Sequence, residues 1–330
     1  MKISIVGAGW VGSTAAYTIA TQGLAEEVVL IDVASNIATA HSIDIAEAAA
    51  VCRRDIVIRA GIYEDMAGSD IVIVTASAPV QRPASPTSAP AQPSRRLGLG
   101  RNIVLISKIG RAVDELCPRS IVITTSNPVE ALSYTSYLVS RDRDRKRFIG
   151  YTINDTTRFR VWISQMLGTA PSQVDIFALG EHGDSQVPIF SKLLVQGKPA
   201  KLTEAMIQEL RKKPLEYLKN WSSLKSGRSS GWLSGAGLAT LVKAIRDDAR
   251  ETFPCSAILD GQYGYSGFSI GVPAAIGRDG IFRIFEWKID ADERKRLAES
   301  AAVLKEAAQA VDAAYAEGFK EAEPGITPAS

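Results

Sequence analysis

Lys2-Ile3-Ser4-Ile5-Val6-Gly7-Ala8-Gly9-Trp10-Val11-Gly12, with Asp32 twenty residues further on, is the stretch that decides the fold. Residues 2–6 form a short, mostly apolar run, the composition of a buried strand. The glycines follow at once with G-x-G-x-x-G spacing. Ser13 to Gln22 then has helical composition, with Gly23 as its C-cap. Glu27-Val28-Val29-Leu30-Ile31-Asp32 reads as a second strand that ends in an acid. A lone glycine motif says little. Placed between a strand and a helix, with an acid at the next strand end, it marks a dinucleotide site. Gly7, Gly9 and Gly12, with Trp10 and Val11 between them, allow a tight turn whose N–H groups can meet a pyrophosphate. Asp32 would accept hydrogen bonds from the adenosine ribose and repel a 2′-phosphate, which favours NAD over NADP.

Working outward, Ser35 to Ala50 is helical in composition and places His41 at a solvated position. Asp55-Ile56-Val57-Ile58, Ile71 to Ala76 and Ile121 to Thr125 are further apolar strands. Strands that are apolar throughout and alternate with helices imply a parallel sheet covered on both faces. Ser77 to Ser94 breaks the rhythm with Pro79, Pro83, Pro86, Pro90 and Pro93, so it is neither a regular helix nor a central strand. It follows a strand end, where open α/β sheets place ligands, and is read as a lid over residues 77–95. Arg95-Arg96 begin a helix that runs to about Leu116. Asn127-Pro128 ends a strand, and Arg141 to Arg147 reads as a solvated helix end.

The totals narrow the class. The 330 residues suffice for two domains, and 46% hydrophobic content is ample for a core. A net charge of +2 points to neither nucleic acid nor a membrane surface. The three cysteines are far apart and include no CxxC, so no disulfide framework and no metal site is expected. A reducing cytoplasm fits, and no apolar run is long enough for a membrane span.

The chemistry converges on Gly180-Glu181-His182-Gly183-Asp184-Ser185. The preceding Val174 to Leu179 reads as one buried strand, so an imidazole stands at a strand end, able to exchange a proton near neutrality. Upstream, Thr152 to Leu167 reads as a helix. Asp155 and Arg158 share one face of it, either as an ordinary ion pair or as a histidine partner and a carboxylate clamp.

Taken in order, the glycine motif, Asp32, the lid, Asn127, Asp155-x-x-Arg158 and Gly180-Glu-His182-Gly-Asp resemble the lactate/malate dehydrogenase family, over residues 1 to about 318. The later Leu259 to Gly264 and Val272 to Gly277 strands and the helical Asp290 to Ala314 segment belong to the same resemblance. It implies a doubly wound, parallel-sheet Rossmann domain for NAD over residues 1–149. An α+β substrate domain over 150–318 and a loose tail over 319–330 complete the division. By the same resemblance His182 carries the proton, Asp155 pairs with it, Arg158 grips the substrate carboxylate and Asn127 bonds the substrate oxygen or the histidine region. Thr75, Ala76, Asn102, Thr125 and Asn127 join the cofactor contacts. A lid arginine, Arg95 or alternatively Arg96, polarises the carbonyl. A homo-oligomer, tetrameric or dimeric, is also implied.

The departures bear on the substrate. Gln81-Arg82-Pro83 fits the lactate-type lid, but residues 84–92 look like an insertion. Trp232 aligns with the helix position where lactate-type relatives carry Thr and malate-type ones often Ala. Gln81 and Glu181 favour a lactate-like substrate. Malate, with Arg82 turned inward, is the alternative; bulkier 2-oxo acids and an inactive NAD-binding homologue are further readings.

Overall fold

The computed structural model describes residues 1–78 and 95–319, without the side chains of residues 95–97. The first half runs β1 (Lys2–Val6), α1 (Trp10–Gln22), β2 (Glu27–Ile31), α2 (Ser35–Val51), β3 (Val57–Gly61) and β4 (Ile71–Val74). It continues through α3 (Arg95–Leu116), β5 (Ile121–Thr124), α4 (Val129–Val139) and β6 (Phe148–Tyr151). The second half begins with α5 (Ile153–Leu167) and the short strands β7 (Val174–Asp175), β8 (Ala178–Leu179), β9 (Val187–Pro188), β10 (Leu194–Val195) and β11 (Lys198–Pro199). Then follow α6 (Glu204–Ser223), α7 (Gly231–Arg246), β12 (Glu251–Asp260), β13 (Ser266–Gly277), β14 (Gly280–Ile284) and α8 (Ala291–Ala316).

One sheet spans both halves, in the order β14-β13-β12-β6-β5-β4-β1-β2-β3. From β3 to β6 every pairing is parallel. β12, β13 and β14 add antiparallel strands beyond β6. The parallel strands are apolar because helices cover both faces; β4 and β5 are buried along their whole length. Chain order reverses at β1, between β2 and β4, and such a switch point opens a ligand crevice at the carboxyl ends of the strands.

Several expectations shift. α1 starts at Trp10, so the glycine motif runs straight into the helix; its end at Gly23 is as expected, with φ +66°. The third strand starts at Val57 instead of Asp55, because its register pairs Val57 with Glu27. The expected single strand Val174 to Leu179 is two: β7 pairs with β10, and β8 turns away to pair with β9. Arg147 is not a solvated residue. It is buried, donating to the Ser120 carbonyl at 2.8 Å and to Asp142 at 2.6 Å. Phe319, expected in the tail, is buried against Tyr315 with Arg111 over its ring.

Candidate active site

The cofactor side is built by β1, α1 and the ends of β2, β4 and β5. A Cβ at Gly12 would lie 1.9 Å from the Gly7 carbonyl oxygen, so no larger residue fits the turn. The Gly9 N-cap offers no side-chain cap, which leaves first-turn N–H groups of α1 for an anion. Asp32 stands at the end of β2, with its two oxygens accepting from the Ala8 N–H at 2.6 Å and the Ala34 N–H at 2.9 Å. Val11 packs partly buried against the core. Thr75 donates to the Gly7 carbonyl at 2.8 Å, tying β4 to the glycine turn. Thr125 and Ser126 bond back to β4, Ser126 reaching the Ala76 carbonyl at 2.6 Å. Asn102 on α3 accepts from the Ala78 N–H at 2.7 Å and donates to the Asn127 carbonyl at 3.0 Å. This set of groups fits a dinucleotide: a glycine turn with free N–H groups, then an acid for the ribose.

The histidine side meets it from the second half. Gly180 has φ +85°, and a Cβ there would strike Ser300, so glycine is required. Its N–H and C=O pair with Gly271 of β13, fixing the segment that carries His182. Thr156 of α5 accepts the Ala178 N–H at 2.8 Å, which docks α5 beside β8. The result is a short contact from His182 Nδ1 to Asp155 Oδ2, 2.6 Å. Asp155 is 4% exposed, and its other oxygen accepts from Arg158 at 3.2 Å. Burial opposes the charged imidazolium, but the charge and hydrogen bond of Asp155 outweigh it, Glu130 adds to them, and the His182 pKa is raised.

Arg158 is held from three sides. Its guanidinium lies 4.6 Å from the centroid of the Tyr217 ring, and it donates to Ser230 at 3.4 Å as well as to Asp155. Its buried Nε has no partner among the described residues. Arginine's planar fork suits a carboxylate ligand.

The sequence reading passed over three residues. Tyr217 and Ser230 are 59 and 72 residues from Arg158 in the chain, so no local spacing announces them. Glu130 is buried at the start of α4 and accepts the His182 N–H at 2.7 Å. Trp232, expected against the substrate, is 65% exposed and packs edge-on to Trp10, 5.1 Å between centroids. Ser230, two residues before Trp232, is the group that reaches Arg158 from this part of the chain. Arg228 covers the other part of Trp10, 4.5 Å from its ring, and a Cβ at Gly231 would collide with that ring. The glycine turn is thereby seated on the start of α7.

Gln81, Arg82 and the proline-rich lid lie outside the described residues. Arg95 and Arg96 open α3, with side chains also outside them. A separate cavity of about 900 Å³ lies at the opposite strand ends, beside Ser69, Ser120 and Arg147, and takes no part in this site. No helix among the described residues is long and apolar enough to cross a membrane.

Comparison with known proteins agrees with this geometry. Residues 1–150 match the lactate/malate dehydrogenase NAD-binding domain, and residues 152–314 match the alpha/beta C-terminal domain of the same family. The chain is 34% identical to a malate dehydrogenase of Chloroherpeton thalassium over 320 residues, covering 94% of this chain and 99% of that one. It is 35% identical to a malate dehydrogenase of Halobacterium salinarum, covering 92% and 97%. Among solved structures, the apo malate dehydrogenase of Picrophilus torridus superposes with a TM-score of 0.87 at 28% identity, covering 96% and 99%. The lactate dehydrogenase of Cryptosporidium parvum, complexed with lactic acid and NAD, superposes with a TM-score of 0.85 at 29% identity, covering 94% and 98%. The chain therefore belongs to the lactate/malate dehydrogenase family, NAD-dependent oxidoreductases of 2-hydroxy acids.

Proposed function

We propose that the protein interconverts malate and oxaloacetate with NAD and NADH. The observation that carries the reaction is Asp155, whose single carboxylate joins His182 to Arg158. Arg158 takes the substrate C1 carboxylate as a bidentate ligand, setting the 2-oxo carbon over the crevice. Held by the glycine turn and Asp32, NADH would supply the hydride for that carbon. His182 uses Nδ1 on Asp155 and gives the Nε2 proton to the developing alkoxide; in the reverse direction it takes the proton back. Asn127, at the mouth of the crevice, bonds the substrate oxygen, and a cation at Arg95 or Arg96 polarises the carbonyl.

The choice of acid leans on the relatives, which are named malate dehydrogenases at up to 35% identity over nearly the whole chain. Ser230 beside Arg158 is small and polar, which suits a dicarboxylate. Glu181, a reason for the lactate-like reading, has its carboxylate bonded to Ser185 N and Oγ, a turn-closing role. Pyruvate is the second reading, favoured by the neutral Gln81. If Gln81 faces the substrate, oxaloacetate would lose hydration without gaining a cation. The three free cysteines fit the cytoplasm, and the family likeness fits a homo-oligomer, a tetramer or a dimer.

Catalytic efficiency with oxaloacetate, pyruvate and 2-oxoisocaproate tests this. Oxaloacetate should lead pyruvate by at least tenfold, about 1.4 kcal/mol. A lead for pyruvate would replace malate with lactate. No NADH oxidation with any of them would remove the dehydrogenase reading.

A further inference from the structure

The backbone of residues 180–182 is fixed by three different elements. Gly180 pairs with Gly271 of β13, the Glu181 N–H donates to Ser300 Oγ of α8 at 2.8 Å, and the His182 N–H donates to Glu130 Oε1 of α4 at 2.7 Å. Two anchors are neutral, and the one at the histidine itself is a carboxyl. Glu130 is 2% exposed, and its second oxygen, Oε2, is buried with no hydrogen-bond partner among the described residues. A neutral acceptor can also hold an N–H, and burying a carboxylate with a spare oxygen is costly. The cation that can offset the cost is the imidazolium next to it.

We propose that Glu130 is a positioning residue for His182: it pins the histidine's main chain and, together with Asp155, favours the charged imidazole. The inference rests on His182 being the proton carrier. The charged groups facing the pair come from two sides. His182 and Glu181 lie on the segment after β8; Asp155 and Arg158 come from α5, with Asp155 favouring and Arg158 opposing the charged imidazole. Towards this segment α8 presents Ser300 and β13 presents Gly271. Burial pushes the Glu130 carboxyl up to about 7, against the pull of the His182 charge and N–H.

Glu130→Gln separates the two duties, because its amide oxygen can still accept the His182 N–H while the charge is gone. The chain has only two histidines, so His41→Gln assigns the His182 imidazole in a nuclear magnetic resonance titration of the full-length protein. In Glu130→Gln, His182 should lose its proton at a pH lower by about half a unit or more. The high-pH limb of reductive kcat/KM should move with it, and NADH affinity should stay unchanged. Glu130→Ala, which also removes the acceptor, should lower kcat about tenfold beyond the Gln variant, since a misplaced catalytic group loses at least that much. If Glu130→Ala does not fold, the Gln titration alone decides. A His182 that titrates in Glu130→Gln as in the wild type would overturn the proposal. Wild-type turnover with the oxo-acid panel reports separately on the dehydrogenase reading.

Discussion

Asp155 serves two cations with one carboxylate, and this makes the proton step sensitive to pH in a definite direction. Its charge holds the His182 pKa above the ordinary value. In the proposed reaction the imidazolium is the form that gives the carbonyl oxygen its proton as NADH gives the hydride, so reductive kcat/KM should be level at low pH and fall as pH rises through the raised His182 pKa. Asp155→Asn removes the partner that raises it, and the falling limb should appear at lower pH in stopped-flow or steady-state profiles; a limb moved upward contradicts the pairing. His182→Asn should cut turnover by about a hundredfold or more, the usual worth of general acid–base help, with NADH binding kept. Asp32 predicts cofactor choice by the same charge logic. A 2′-phosphate would meet its carboxylate, so NADH should beat NADPH by at least tenfold in kcat/KM, about 1.4 kcal/mol; equal efficiencies would refute that role. His182, Asp155, Arg158 and Asp32 were legible in the sequence because each sits in a local pattern: a glycine-flanked turn, a spacing of three on a helix, a strand end. Ser230, Tyr217 and Glu130 enter the site only through folding, and the same folding turns Trp232 onto Trp10.

Elements far from the crevice hold its parts in place, and α8 is the plainest case. Ser300, fully buried in that helix, accepts the Glu181 N–H and lies 3.1 Å from Ser185 Oγ. Ser300→Ala leaves the part-buried Glu181 N–H without this acceptor, next to His182, a loss of about 1 kcal/mol. Urea unfolding should show a lower midpoint with an unchanged slope, and kcat should drop more than KM rises. A variant as stable and active as the wild type would mean the segment is held without α8. The sequence made α8 visible as the helical Asp290 to Ala314 segment, which the structure starts with an Asp290–Glu293 capping box, but not as a support for His182. The parallel strands were legible because burial on both faces leaves them apolar throughout. The break between β7 and β8 was not, because Val174, Ile176, Ala178 and Leu179 are all buried, and only partner strands reveal the change of direction. The charged run ending at Arg147 was misread for a related reason: a buried arginine whose partners are a carbonyl and a nearby acid has the same composition as a solvated one.

For the whole molecule, the division at about residue 150 is one of function, and we expect the chain to fold as one unit. The sheet does not stop there: Tyr151 pairs with Cys255 and Gly150 with Ser256, so β12 continues the ladder begun by β6. On one face α1 and α7 are in contact along their length, close enough that a Cβ at Gly235 would meet Thr14 and one at Gly231 would meet Trp10. Tyr151 at the end of β6 bonds Asn154, which bonds Ser234 of α7. Cutting after residue 149 would expose the β6 edge and the apolar face that α7 covers, surfaces that invite aggregation. Residues 1–149 made alone should therefore be aggregated or loosely packed. The intact protein should lose far-UV circular dichroism, which reports on both halves, and tryptophan fluorescence in one coincident urea transition. Four of the five tryptophans, Trp162, Trp221, Trp232 and Trp287, lie in the second half, so separate melting would split the two signals. Saturating NADH binds mainly residues of the first half, yet by linkage it should move both signals together to higher urea. Two resolved transitions, with NADH shifting only one, would show instead that each half is its own folding unit and that the shared sheet is merely an interface.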